Sequence, residues 1–327
     1  MGCNRINGGD IRPDNPSTAN LPQIERSFAE IARLDPAPSL LFFTGDLVFG
    51  LNRDVVVLER QLRAWIELYR ASPVGRMSGL RLVALPGNHE SLRLAPGYQE
   101  VSNPGAEAMW LSVMSPYIAG DNGPKAGGPD RLQTDQSRLT YSFRFRDTHF
   151  VVMNTDPYGA VATVPWTWVA SDVARARRDR SVRNIFCLGH KPAFTPADAT
   201  PDFSLDTHPR PRDRLWNAMN GARVTALITA HAHLWDRERY ASTNRPTVRG
   251  TWQIIAGNGG SQLDGRWIRR ADNGYFGFAV VRVTVSGRAF VESHGRAYPP
   301  GQYLAPSPVQ QFPTTIRDTG EITFALS

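Results

Sequence analysis

The chain has 327 residues, 41% hydrophobic and 20% charged, enough to bury a sizeable core as one large domain or two ordinary ones. Its longest apolar runs, such as Leu40 to Phe43, fall far short of the roughly 18 residues that a membrane helix needs, so no membrane span is expected. The net charge of +7 is carried almost wholly by arginine, Lys125 and Lys191 being the only lysines, and no basic run is long, so nucleic-acid binding is disfavoured as a main role.

In chain order, Gly2-Cys3-Asn4-Arg5 stand where the end of a first strand is expected, although no apolar run precedes them. Leu21, Ile24, Phe28, Ile31 and Leu34 recur at helical spacing and are closed off by Pro36. Ser39 to Phe43 reads as a fully buried strand, Val55 to Tyr69 as a second amphipathic helix, and Leu80 to Leu85 as the next buried strand. This alternation predicts βαβ units and a sheet with parallel strands. From about Ser91 to Arg138 the periodicity fades, and a long loop insertion is expected there. Arg138 to Asp156 looks like a hairpin turning near Asp147; a helix around Trp168 to Arg178 follows, then strands at Asn184–His190 and Val224–His233. Thr251–Gly260, Gly277–Val285 and Arg288–Gly295 read as further strands, followed by a Pro-rich tail from about residue 299 and a last strand at Glu321–Leu326. No linker splits the chain, so one mixed α/β domain over residues 1–327 is expected. The two cysteines give no disulfide framework, and Cys187, inside an apolar run, reads as an inert core residue.

Four short clusters each follow a buried apolar run. They contain Asp46 in FFTGDLVFG, Asn88 and His89 in VALPGNHE, His190 in FCLGHKPAF, and His231 and His233 in LITAHAHLWDR. In open α/β sheets the carboxyl ends of strands gather at one edge, where ligands bind. Singly, each cluster has a plainer reading as a turn, a cap or surface histidines. Together, at successive strand ends, they deliver nitrogen and oxygen donors suited to Zn, Fe, Mn or Co.

The series GDLVFG, GNHE, GHKP and AHAH resembles the calcineurin-like metallophosphoesterases, in their purple-acid-phosphatase-like branch. Four of that family's five blocks are present in order from Asp46 to Arg237, and IIAGNGG also fits. The resemblance implies a four-layered α/β/β/α sandwich, a dinuclear centre of Mn, Fe or Zn, and hydrolysis of phosphate mono- or diesters. It implies that Asp46 bridges the metals, that Asn88, His190 and His231 complete one site, and that His233 serves the other. His89 would be a catalytic residue beside the leaving group, protonated and oriented by Glu90 or another carboxylate. Arg5, Lys191 or Arg237 would add charge near the phosphate.

The family's first block, D-x-H, is missing. One register sets Cys3 at its aspartate and Arg5 at its histidine; a shift by one sets Gly2 and Asn4 there instead. Neither restores the motif, so one or two metals per chain are expected, with Cys3, Asn4 or Arg5 as substitute contacts. Asp147-Thr148-His149 and Asp206-Thr207-His208 also spell D-x-H, but neither ends a strand, and of these only His208 is a candidate to reach over the site. Phe49 stands where purple acid phosphatases carry a metal-bound tyrosine, so no tyrosinate colour is expected. The alternative function is a family member with an altered metal site that binds phosphate-bearing ligands with little turnover. The sequence carries no signal peptide, which leaves a cytoplasmic protein, or a periplasmic or secreted one if a leader has been lost.

Overall fold

A computed structural model describes residues 1–5, 21–196, 204–240, 246–261, 263, 274–297 and 312–324. The Pro-rich stretch expected from about residue 299 falls mostly outside them.

Period-2 alternation in the first two strands sets the architecture. Strands β1 (Leu40–Thr44) and β2 (Arg81–Leu85) pair in parallel, Phe42 beside Val83. Leu41, Phe43, Leu82 and Ala84 point to one face, against Ile24 and Phe28 of α1 (Leu21–Ile31) and Leu58, Leu62 and Trp65 of α2 (Val55–Ala71). Trp65 is the hub there, edge-on to Phe43 and stacked on Tyr69. Asp54 caps α2 by accepting from the Val56 amide at 2.9 Å. Phe42, Val83 and Leu85 point the other way, toward a larger sheet.

That sheet contains β5 (Tyr141–Phe145), β6 (Thr148–Val152), β7 (Asn184–Leu188), β8 (Ala226–Thr229), β9 (Trp235–Arg239) and β10 (Trp252–Ala256), in the spatial order β5-β6-β7-β8-β10-β9. The four strands β6, β7, β8 and β10 are parallel; β5 and β9 run antiparallel at the edges. Val151, Ile185, Cys187 and Leu227 face α5 (Trp166–Arg178) and α6 (Pro209–Gly221), whose Val173, Leu215 and Trp216 bury against them. Val152 and Leu188 face β2. Phe186, Ala226 and Ile254 pack with Tyr275 and Val291 from a third sheet, β11 (Tyr275–Val283), β12 (Ala289–Ala297) and β13 (Thr315–Glu321).

Two expectations change, and one helix stands in a stretch for which the sequence reading offers no element. The stretch from 91 to 138 is not a bare loop: after the single-turn α3 (Asn88–Ser91) it carries a small hairpin, β3 (Leu92–Leu94) with β4 (Glu100–Ser102), and then α4 (Ala106–Met114). The helix α6 starts at Pro209, because proline is tolerated in a first turn, where its missing N–H is not needed. Among the described residues the last strand is Thr315–Glu321, which meets the expected segment only at Glu321; residues 325–326 of that segment lie outside the described residues. Of the two spare D-x-H runs, His149 lies on β6 and pairs with Asp172 of α5 at 2.6 Å, while His208 is exposed at the start of α6.

The opening residues fill a strand position without an apolar run. Thr44 donates to the Met1 carbonyl (2.8 Å), Cys3 to Gly45 (3.1 Å) and Asn4 to Asp46 (3.3 Å). On the other side Gly259 donates to Gly2 (3.0 Å) and Ser261 to Cys3 (2.9 Å). Residues 1–4 therefore run between the end of β1 and the segment after β10. A side chain at Gly2 would lie 2.5 Å from Thr44 Oγ1 and 2.6 Å from Ala230 Cβ, so only glycine fits there.

Candidate metal centre

The loops after β1, β2, β7 and β8 deliver Asp46, Asn88, His190 and His231 to one point. His190 Nε2 lies 2.9 Å from Asn88 Oδ1, 3.1 Å from Asp46 Oδ1 and 3.3 Å from His231 Nδ1. His231 Nδ1 is 3.1 Å from Asn88 Oδ1. Ligands held about 2.0–2.2 Å from an ion stand about 3 Å apart, so this spacing suits a metal's donor set. Two imidazole nitrogens, an amide oxygen and a carboxylate oxygen fit Mn, Fe or Zn.

Each donor is aimed by a second contact. His190 Nδ1 donates to the Thr44 carbonyl at 2.8 Å, which leaves the Nε2 lone pair for the site. Asn88 Nδ2 donates to Glu100 Oε1 at 2.7 Å, which turns Oδ1 inward. Close approach depends on glycine: a Cβ on Gly87 would sit 2.2 Å from Asp46 Oδ1, and one on Gly45 2.5 Å from His190 Nδ1. Cys3, Asp46 and His231 all hold positive φ (52°, 53° and 65°), a conformation that costs a non-glycine residue energy.

Asp46 has a second face. Its Oδ2 accepts from Arg5 Nε at 3.0 Å, and Arg5 Nη2 is 3.4 Å from His233 Nε2. Cys3 Sγ lies 3.8 Å from the same Oδ2 and accepts from the His231 amide at 3.1 Å. The chain thus adopts the register that puts Cys3 and Arg5 toward Asp46. The Asn4 side-chain amide is fully buried, with no hydrogen-bond partner for its nitrogen or its oxygen among the described residues. Cys3, Asp46 and His190 still bring three potential ligand atoms within 4.8 Å of one another.

Burial raises the Cys3 thiol well above its ordinary value, with Asp46 adding to the effect. Burial opposes ionisation of Asp46 too, but His190, His89 and Arg5 hold it well below the usual carboxylate range. Burial and then His190 push His231 well down, which keeps its ring neutral, the form that binds metals.

His89 and Glu90 differ from expectation. Burial, with Arg5, pushes His89 down to about 3, so its ring is neutral rather than protonated. Its Nδ1 contacts the Phe49 carbonyl, and its Nε2 stands 4.0 Å from Asp46 Oδ2. Glu90 instead accepts from the backbone amides of Gly87 (2.8 Å), Asp46 (2.9 Å) and Val48 (3.1 Å), tying the two loops together. Lys191 is buried against Asp156 at 2.7 Å, and Arg237 is paired with Asp318 at 2.8 Å.

Solved structures share this architecture. Purple acid phosphatase PPD1 from yellow lupin (Lupinus luteus) seeds superposes with a TM-score of 0.57 at 15% identity, over 85% of this chain and 48% of that one. PhoD gives 0.60 at 11% identity, over 92% and 69%. GAP50, the anchor in the inner membrane complex of Plasmodium, gives 0.52 at 11% identity, over 100% and 88%. The mixed α/β fold is thus shared with purple acid phosphatase PPD1 and PhoD. At such identities the likeness extends to fold alone, and the chain spans about half the length of the lupin phosphatase. No family model matches this sequence, and no curated protein matches it either.

Glu100 escaped sequence reading because β4 is three residues long and lies in a stretch without periodicity. Among the described residues, no helix is long and apolar enough to cross a membrane.

Proposed function

We propose that the chain is a metal-dependent hydrolase of phosphate mono- or diesters. The convergence of four donor atoms from four strand-end loops carries this reading. Asp46, Asn88, His190 and His231 would hold a transition-metal ion (Mn, Fe or Zn), which when bound supplies Lewis acidity toward water and phosphoryl oxygen. His190 and Asn88 would be kept in binding orientation by Thr44 and Glu100. His89 would meet the leaving oxygen through Nε2, because Nδ1 is committed to the Phe49 carbonyl. The two helical layers outside facing sheets support a four-layered α/β/β/α sandwich in a single domain.

The test is hydrolysis of an aryl phosphate monoester and a diester by chain loaded with Mn, Zn or Fe. Turnover that chelation removes and metal restores is expected. No turnover with any metal, alongside tight phosphate binding, would instead establish the second reading, a binding protein of this fold. The Arg5 guanidinium lying on Asp46 favours that alternative.

Glu100→Leu is expected to weaken metal binding roughly 10- to 100-fold, while Glu100→Gln, which keeps an acceptor for Asn88, retains most of the affinity. Titrating Mn into the three proteins checks this; equal affinities would mean that Asn88 needs no such partner.

A further inference from the structure

Asp46 divides its carboxylate between two neighbours. Oδ1 faces His190 and the converging donors, whereas Oδ2 faces a guanidinium. Arg5 is only 7% exposed and Asp46 is fully buried, so their pairing is shielded from water. The same guanidinium reaches His233 Nε2 at 3.4 Å. An ion bound by Asp46 Oδ2 and His233 would have to stand about 2.0–2.2 Å from each, in the space the guanidinium now spans. A guanidinium is a cation, so it brings positive charge to the place an ion would take. Nor is the residue loosely tethered: the backbone of Cys3 and Asn4, just before it, is hydrogen-bonded to Gly45, Asp46 and Ser261.

We infer that Arg5 serves as a built-in cation in place of a second metal, so that a phosphoryl group would be held between one metal ion and one guanidinium. This rests on the metal-centre reading above. Asp46 is then shared between an ion at Oδ1 and a guanidinium at Oδ2. Arginine suits the place because its planar fork of N–H donors matches phosphate oxygens as well as carboxylate oxygens. Beside it stand a thiol and an imidazole, Cys3 and His233; in this register the thiol takes the place of the missing motif's carboxylate, and Arg5 itself that of its imidazole.

The experiment is metal content per chain after reconstitution with Mn or Zn and removal of excess, measured on wild type, Arg5→Gln, His190→Ala and the double variant C3D/R5H. Circular dichroism confirms that each is folded. Wild type is expected to hold about one ion and His190→Ala almost none, while C3D/R5H rises to about two. Arg5→Gln keeps the first ion but binds inorganic phosphate roughly ten- to hundredfold more weakly, the worth of charge-assisted hydrogen bonds. That variant also carries the test if the double variant does not fold. Two ions in wild type, or unchanged phosphate affinity in Arg5→Gln, would overturn the inference and leave the hydrolase reading standing. No ion in wild type would overturn both.

Discussion

His190→Ala is expected to empty the metal centre and to lower phosphoester turnover by about a thousandfold or more, since an ion contributes several kcal/mol to the transition state. The size follows from geometry. His190 Nε2 is the atom closest to all the others, within 3.3 Å of donors from Asp46, Asn88 and His231. Without it, the remaining donors are two oxygens and one nitrogen around a hole. The backbone does not depend on the ring: Gly189 donates to Ile228 at 3.1 Å and Ala230 to His190 at 2.9 Å, so the loop keeps its course. The Thr44 carbonyl loses a donor, a cost of about 1–3 kcal/mol that should lower the melting temperature without unfolding the chain. Metal analysis and initial rates on the folded variant decide the matter. Full metal content in His190→Ala would mean that the ion is held elsewhere.

Asp156→Ala is expected to destabilise the fold by about 3–5 kcal/mol, because it strands the Lys191 ammonium in the interior. Both side chains are fully buried and meet at 2.7 Å. The carboxylate also accepts from the Ala162 amide at 2.9 Å, which would be left without that partner. Lys191 follows His190 directly, so its relaxation would pull on the metal loop. The double variant K191M/D156L, which removes both charges, should recover most of the loss, as buried ion pairs replaced by apolar side chains often do. Urea unfolding of wild type, D156L, K191M and K191M/D156L gives the coupling energy. A loss below about 1 kcal/mol in Asp156→Ala would show that the lysine finds water instead.

Much of the site could be read from the chain because parallel strands end at a common edge. Asp46, Asn88, His190 and His231 each follow an apolar run, and the structure brings their donor atoms together. What eluded the sequence turns on single-residue register. Cys3 and Arg5 against Asn4 differ by one position on an extended segment, and a one-residue slip exchanges its faces. Only the pairing of residues 1–4 with Gly45, Asp46 and Ser261 decides it. Glu90 misled through proximity in sequence: it adjoins His89, but its carboxylate turns back onto loop amides. In the fold, α6 was masked by the prolines of its first turn, and β9 by the charged residues of Trp235–Arg239. The edge strand β13 carries mostly polar residues, which hides its alternation.

The left-handed backbone at Cys3, Asp46 and His231 bears on how this protein could be altered. Each costs of order 1–3 kcal/mol. A selection for heat resistance alone would find relief at these three positions, since glycine adopts these angles freely. Every such gain would delete a side chain that faces the centre. Robustness and chemistry are thus set against each other at three known positions, and a thermostable descendant carrying glycine there would be a scaffold without its site.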